Sequence, residues 1–446
     1  MFDITLSDAD GKHSTVRYDP HRSTLTTADG TPIEPRTLGL TEGRPRASWP
    51  SAPRLQDAAI PGRKSRGIRR LKIQLGLGCN YSCSYCLQRF QPEAEGRGAH
   101  DVLAFLERLP RHFDGGEDGL GQGVRIEFWG GEPFLYFKRS LRTLGLALRS
   151  AYPHARFGIV TNGSLLSDDI LDWIDALDCA VAVSHDGPGQ ATRGPDPLAD
   201  PLRRESLLRL YDRLAPRGRF SFNVTLTDGN HDLTVIHEWF VERLDGRSPT
   251  LDIEGAALPY SPNAYPLAIG AGRQRAVMLS LFNAIVRGPG LEFGAIRRKL
   301  QDFFAALAAH RPSSALGQKC GMDREDSLAV TLGGDVVTCQ NTSPAAHAPN
   351  GQPHRIGRLD ALDDVRLTTA RHWAWREECS HCPVLQLCQG SCMFLREESW
   401  ARACDSEFAY NMGIFLAAIW FLTGKAPVHI AGPIRRPARP LADGAP

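Results

Sequence analysis

Hydrophobic and polar positions alternate with a period of two at the start of the chain, where Phe2, Ile4 and Leu6 are separated by polar residues. That period puts every second side chain on one face of a strand. Asp10-Gly11 and Asp29-Gly30 fall between such runs and favour tight turns, so residues 1–35 read as strands. The pattern is lost over residues 36–66, which are rich in Pro, Gly and Arg and read as a linker. From residue 71, apolar runs of strand length alternate with runs of helical spacing. Leu71–Leu77, Val124–Phe128, Arg156–Thr161, Cys179–Ser184, Phe220–Thr225 and Thr250–Glu254 read as strands. Between them, Leu233, Ile236, Phe240 and Leu244 illustrate the helical repeat. Six such repeats predict an α/β fold, a partial (β/α)6 TIM-like barrel whose site lies at the strand C-termini. Residues 272–309 read as helical. The longest apolar run, Ile414 to Leu422, is too short to span a bilayer and reads as a buried helix. Residues 425–446 hold five prolines without periodicity and read as a mobile tail.

The chain has 446 residues, enough for two or three domains, and a formal net charge of +2. Nothing in that balance calls for nucleic acid or a charged membrane. The basic run Arg63 to Arg70 could hold an acidic peptide, but a solvated face is the simpler reading. Met1-Phe2-Asp3-Ile4-Thr5 lacks the basic and apolar segments of a signal peptide, which leads to an expectation of a cytoplasmic protein. Eleven cysteines in such a chain point to metal rather than to disulfides.

Three of those thiols lie in one run, Cys79-Asn80-Tyr81-Ser82-Cys83-Ser84-Tyr85-Cys86. Such a loop can wrap an inorganic cube, supplying thiolates to three of its four irons and leaving one open. A zinc knuckle or disulfides are the alternatives. Seven more follow late: Cys320, Cys339, Cys379, Cys382, Cys388, Cys392 and Cys404. Seven thiolates can fill one cube and hold a second by three corners. Zinc at Cys379, Cys382, Cys388 and Cys392 is the other option, but it strands Cys320, Cys339 and Cys404. Cys179, inside an apolar run, reads as core.

The Cys-x3-Cys-x2-Cys run, with Tyr85 before its last Cys, resembles the radical S-adenosylmethionine (radical SAM) superfamily. The resemblance implies a [4Fe–4S] cluster whose open iron is chelated by the methionine part of SAM, and cleavage of SAM to a 5′-deoxyadenosyl radical. The late cysteines resemble the SPASM domain, the auxiliary-cluster module of many peptide-modifying relatives. By that resemblance Cys379, Cys382, Cys388 and Cys404 hold one cluster, and Cys320, Cys339 and Cys392 another, making three [4Fe–4S] clusters in all. Asp326 stands where sulfatase-maturing relatives have an eighth Cys, so the fourth corner of the second set falls to a carboxylate, to solvent or to a substrate atom. The implied organisation is a β-rich extension and linker (1–66), a radical SAM partial barrel (67–310), a small cluster-binding SPASM domain (311–424) and the tail (425–446). Residues 1–66 are too short and too poor in helical periodicity to be claimed as a leader-binding winged helix.

Gly130-Gly131-Glu132-Pro133 follows the second barrel strand. Two glycines let backbone approach a ligand closely, and a carboxylate suits an ammonium. This resembles the superfamily's Gly-Gly-Glu-Pro motif, which contacts the methionine ammonium of SAM. Ser184-His185-Asp186-Gly187-Pro188 resembles the Ser-x-Asp-Gly-Pro segment of sulfatase- and peptide-maturing relatives. There the Ser binds SAM and a following Arg, here Arg193, neutralises its carboxylate. Tyr85, Gly130, Gly131, Glu132, Pro133, Ser184 and Arg193 are thus the implied SAM contacts. For Asn162 and Asp186, turn formation and backbone capping are as good a reading as ligand binding. Sulfatase-maturing relatives carry a basic Asp after the Cys of the Gly-x4-Cys element. Here Gln340 follows Cys339, and an amide takes no proton at neutral pH.

The leading expectation is a radical SAM/SPASM peptide maturase making an oxidative side-chain crosslink in a ribosomally made precursor peptide. Its partners would be that peptide and an electron donor such as flavodoxin or ferredoxin. The alternatives are a sulfatase-maturing enzyme, a dehydrogenase of a small molecule, and a cluster-bearing electron carrier or scaffold.

Overall fold

The computed structural model describes residues 1–35, 59–64, 67–92, 100–109, 123–256, 267–367 and 371–436. Three strands open the chain: β1 (Phe2–Ser7), β2 (His13–Asp19) and β3 (Thr24–Thr27). Gly11 and Gly30 adopt φ of 77° and 92° at the two turns, the left-handed region glycine tolerates. A short β4 (Gly62–Arg63) precedes the main body. There β5 (Arg70–Gln74), α1 (His100–Arg108), β6 (Arg125–Trp129), α2 (Arg142–Ala151), β7 (Arg156–Thr161) and α3 (Asp168–Ala176) alternate. The series continues with β8 (Ala180–Ser184), α4 (Pro201–Leu214), β9 (Phe220–Leu226), α5 (Leu233–Arg243) and β10 (Leu251–Gly255). All six strands from β5 to β10 pair in parallel, in chain order.

Two helices, α6 (Gln274–Arg287) and α7 (Gly294–Ala308), fill the stretch read as helical. Beyond them, β11 (Ser327–Thr331), β12 (Asp335–Val337) and β13 (Arg355–Arg358) follow. β11 pairs in parallel with β5, and β12 and β13 extend the sheet antiparallel to nine strands. The late-cysteine region is thereby hydrogen-bonded to the barrel's first strand. It ends with β14 (Arg366–Leu367), the short helices α8 (Glu377–Ser380) and α9 (Leu385–Cys388), and the long helix α10 (Glu397–Thr423). Ile414 to Leu422 lies in α10 and is mostly buried, as its apolar run predicts. No helix among the described residues is long and apolar enough to cross a membrane.

The tail differs from expectation. Ala426–Ala431 form β15, which pairs antiparallel with β1, so residues 425–446 are not one mobile segment. Residues 437–446 lie outside the described residues. The resulting sheet, in the order β15-β1-β2-β3, packs Tyr18 against Phe303 of α7 and Phe415 of α10. The linker expectation for 36–66 falls largely outside the described residues. Its end is fixed, with β4 paired to β14 and the buried Lys64 donating to the Met322 and Arg324 carbonyls at 2.6 and 2.9 Å. At Lys64, at least, the basic run is not a solvated face. Cys179 is fully buried, as a core residue should be.

Candidate functional site: a polar cavity beside three thiols

The C-terminal ends of the six parallel strands open on one cavity of about 470 Å³. Cys79, Cys83 and Cys86 line it, together with Trp129 at the end of β6 and Gly130 and Gly131 after it, Thr161 at the end of β7 and Asn162 after it, and Ser184 at the end of β8. Asn223 and Thr225 of β9 and Glu254 of β10 complete its far side.

The glycines act differently from the expectation that they admit a ligand. A Cβ on Gly131 would lie 2.2 Å from the Gly78 carbonyl oxygen, and one on Gly130 would lie 2.9 Å from that of Gly76. The Gly131 and Glu132 amides donate to the Gly76 and Gly78 carbonyls at 3.1 and 2.9 Å. Both glycines therefore let this turn seat on the loop that launches the cysteines. Tyr136 clamps the same loop by accepting from the Gly78 amide at 2.8 Å.

Glu132 is buried and accepts from the Asn162 amide (2.7 Å), the Thr161 hydroxyl (2.8 Å) and the Phe134 amide (3.1 Å). Burial still outweighs these donors and pushes its carboxyl up to about 7. Pro133 opens the short helical turn after it. Asn162 also donates to Asn80 of the cysteine loop at 2.8 Å and accepts from the Ser164 amide and hydroxyl. Asp186 is a buried hub, accepting from the Thr225 amide (2.8 Å), from Arg193 (2.9 Å) and from the Tyr85 hydroxyl. Arg193 donates to the Thr225 hydroxyl at 3.1 Å and lies over the Tyr85 ring at 5.3 Å. Asn162 and Asp186 thus organise the cavity wall beyond capping turns. Of the seven implied SAM contacts, Tyr85, Gly130, Gly131, Ser184 and Arg193 line the cavity. Glu132 and Pro133 stand behind its rim.

The late thiols gather in two sets. Cys379, Cys382, Cys388 and Cys404 line one small cavity, where burial raises their pKa and their closeness to one another raises it further. Cys339 and Cys392 are likewise raised by burial and, beyond that, by their closeness to Cys320. Cys392 therefore groups with Cys320 and Cys339, which disfavours a zinc site of Cys379, Cys382, Cys388 and Cys392. No three His, Cys, Asp or Glu side chains among the described residues stand at the spacing of a single metal ion. A cube differs in its demand, anchoring each thiolate on a separate iron.

Burial pushes these thiols upward, Cys83 and Cys404 to about 11 and Cys339 to about 12. Cations oppose it: Arg193 near Cys83, Lys72 and Lys64 near Cys320, Lys299 and Lys319 near Cys388, and Arg376 near Cys379 and Cys392. Thiolates bound to iron carry net negative charge into the interior, and this placement of cations suits them. The donor sets and their surroundings fit iron–sulfur clusters.

Lys72 donates to the Gln340 side-chain oxygen at 2.9 Å, and Gln74 donates to the Gln340 and Thr342 carbonyls at 2.7 and 3.0 Å. Gln91, just past the first cysteines, donates to the Asn341 carbonyl at 3.0 Å. The Cys339 loop is so joined to both β5 and the first cysteine loop, and Asn341 lines the cavity. Asp326 is ion-paired with Arg324 at 2.7 Å. Sequence reasoning missed Asn80, Trp129, Thr225, Glu254 and Asn341. Only their places at strand ends or beside a cysteine could have pointed to them.

Residues 73–227 match the radical SAM superfamily. The serine-type anaerobic sulfatase-maturating enzyme of Klebsiella aerogenes is 25% identical over 341 residues, spanning 71% of this chain and 78% of its own length. The structure of polyhistidine-tagged anSMEcpe with bound AdoMet shares the fold, with a TM-score of 0.57 at 17% identity over 80% of this chain and 98% of that one. Native anSMEcpe with bound AdoMet and Cp18Cys peptide gives 0.52 at 16% identity, with the same coverage. Residues 73–227, which run from β5 to β9, therefore form a radical SAM domain, and the chain as a whole is similar in fold to anSMEcpe.

Proposed function

We propose that the chain is a radical SAM/SPASM peptide maturase that takes hydrogen from a precursor peptide and leaves an oxidative side-chain crosslink. One observation carries this reading: Cys339 lies directly behind the cavity wall, its Sγ accepting from the amide of Asn341, which lines the cavity. An electron acceptor there stands beside the place where a substrate radical would form, which suits net oxidation. The peptide substrate is supported by the likeness to a sulfatase-maturating enzyme and by the peptide held in a protein of the same fold.

In this reading Cys79, Cys83 and Cys86 hold the first [4Fe–4S] cluster. Glu132, buried behind the rim, supplies negative charge toward the ammonium of SAM and Arg193 positive charge toward its carboxylate, while Gly130, Gly131, Ser184 and Tyr85 line the pocket and Pro133 holds the turn behind it. When bound, cluster and SAM supply a 5′-deoxyadenosyl radical, with the electron coming from a donor such as flavodoxin or ferredoxin. The two late sets hold auxiliary clusters.

Sulfatase maturation is the second reading, favoured by the 25% identity to the Klebsiella enzyme. Against it stands Gln340, an amide whose oxygen is held by Lys72. Co-expression with a small peptide encoded beside this enzyme separates the two. A crosslinking maturase yields a peptide lighter by two hydrogens per bond, with fragmentation suppressed between the linked residues. An aldehyde trapped by a hydrazine on a Cys–x–Pro–x–Arg peptide would establish the second reading instead.

SAM affinity tests the pocket. Glu132→Gln keeps an acceptor for Thr161 and Phe134 but removes the charge, so SAM binding is expected to weaken by about 1.5–3 kcal/mol with iron content unchanged. The pH dependence has a definite sign. The carboxyl ionises at 4.5 when unperturbed and near 7 in the fold, so the stability it lends is full below 4.5 and lost as pH rises through 7. An ammonium favours the ionised form, so SAM should bind more tightly above about 7 than below it. Equilibrium dialysis across that range checks both points. An unchanged affinity in folded Glu132→Gln protein would make Glu132 a turn residue only.

A further inference from the structure

Glu254 stands at the C-terminal end of β10, on the cavity wall opposite the Gly-Gly turn. Its side chain is accessible, and the surface it presents faces the cavity. No hydrogen bond or ion pair to its carboxylate is present among the described residues. Every other carboxylate at the site is engaged: Glu132 by three donors and Asp186 by Arg193, Tyr85 and Thr225. Its position is also intermediate. Arg193 and Asp186 face it from the SAM side, Lys319 from beside Cys320, and Asp252 from its own strand. Glu407 of α10 comes so near the next residue that a Cβ on Gly255 would lie 3.1 Å from its Oε1. Glu407 in turn neighbours Cys388 and is ion-paired with Lys319. An accessible carboxylate thus sits on the cavity wall between Arg193 and Asp186 on one side and, on the other, Lys319 and Glu407, which neighbour Cys388.

We propose that Glu254 is the proton acceptor of the reaction, a catalytic residue that takes the proton released when the substrate radical closes its new bond. This rests on the peptide-maturase reading above. The balance is complete. The 5′-deoxyadenosyl radical takes one hydrogen atom from a substrate C–H and becomes 5′-deoxyadenosine. The carbon radical bonds to a nearby Y–H group, where Y is carbon, nitrogen, oxygen or sulfur. The Y–H proton passes to the Glu254 carboxylate, giving the acid, and one electron passes to an oxidised iron–sulfur cluster. The substrate loses two hydrogens in all. Enclosure by the cavity walls raises the carboxyl of Glu254 above the ordinary range, with Asp186 and Asp252 adding to it and Lys319 and Arg193 opposing. That makes its carboxylate a better base than a solvated one.

The test uses anaerobically reconstituted holoenzyme and its Glu254→Gln and Glu254→Asp variants. Glu254→Gln should bind SAM as the wild type does and move deuterium from a labelled peptide into 5′-deoxyadenosine. Its crosslink formation should fall roughly 100-fold or more, and Glu254→Asp should restore part of it. Wild-type product formation should rise with pH through an ionisation above the ordinary carboxylate range, and Glu254→Gln should lose that rise. Crosslinking at the wild-type rate in Glu254→Gln, or loss of SAM binding in it, would overturn the proposal. If wild-type enzyme cleaves SAM but modifies no peptide, the maturase reading fails by itself. Infrared difference spectra then decide on Glu254. A protonated-carboxyl band that titrates above the ordinary range and is absent from Glu254→Gln supports a proton acceptor, and no such band overturns it.

Discussion

Replacing Cys79, Cys83 and Cys86 together by Ala is expected to abolish SAM cleavage and remove about a third of the bound iron, one cube of three. The fold should survive, because the loop is held by groups other than sulfur. Asn80 donates to the Ser164 hydroxyl at 2.8 Å, the Tyr81 hydroxyl donates to the Pro195 carbonyl at 2.8 Å, and the Ser84 amide donates to the Thr192 carbonyl at 3.0 Å. Cys79 is exposed, and Cys83 and Cys86 are half-buried. The loss is therefore chemical, since no other thiol among the described residues lines the cavity. Iron analysis, far-ultraviolet circular dichroism and chromatography of 5′-deoxyadenosine on the same samples check it. Iron near four per wild-type chain instead of about twelve, or zinc in its place, would undo the three-cluster assignment.

How far the sequence carries this picture differs from element to element. The barrel strands fall within a few residues of where apolar runs place them, because each is a local signal bounded by turns. Arg156–Thr161 begins and ends with its apolar run, and the helical repeat of Leu233–Leu244 becomes a helix over Leu233–Arg243. Cys79, Cys83 and Cys86 line one cavity and Cys379, Cys382, Cys388 and Cys404 another; that they and Cys320, Cys339 and Cys392 hold three clusters is part of the proposed function. What the sequence conceals depends on distant partners. Ala426–Ala431 carries a weak alternation and a proline, and becomes a strand because β1, at the opposite end of the chain, offers it an edge. β11 escapes the local pattern for the same reason, being completed by pairing with the distant β5, and β12 and β13 are added onto it in turn. Gly131 reads in the sequence as making room for a ligand, whereas the contact that excludes its side chain is the Gly78 carbonyl. Glu254 ends a correctly placed strand, but nothing in its immediate sequence tells that its carboxylate meets a cavity.

Removing one late thiolate should stop the reaction at a different point. Cys388→Ala and Cys339→Ala, each in otherwise intact holoenzyme, are expected to abolish the crosslink while 5′-deoxyadenosine still forms. Each should lower iron by as much as one cube, about a third. The reason lies in position. Neither residue lines the SAM-type cavity, so neither should affect SAM binding or hydrogen abstraction. Each stands where buried cations would be left without their counter-charge: Lys299 and Lys319 beside Cys388, and Lys72 beside Cys339. Lys319 keeps Glu407 as a partner, and Lys299 donates to Asn411 at 2.9 Å and to the Leu387 carbonyl, which limits the structural damage at Cys388. Lys72 keeps Gln340. A radical formed on the substrate would then have no acceptor for its second electron, so it should return to starting material or be quenched by solvent. Deuterium taken up from heavy water into unmodified peptide would record that quenching. If either variant crosslinks at the wild-type rate after losing its iron, that set is structural. If either loses 5′-deoxyadenosine formation as well, the set acts before hydrogen abstraction, and the electron-acceptor reading fails there.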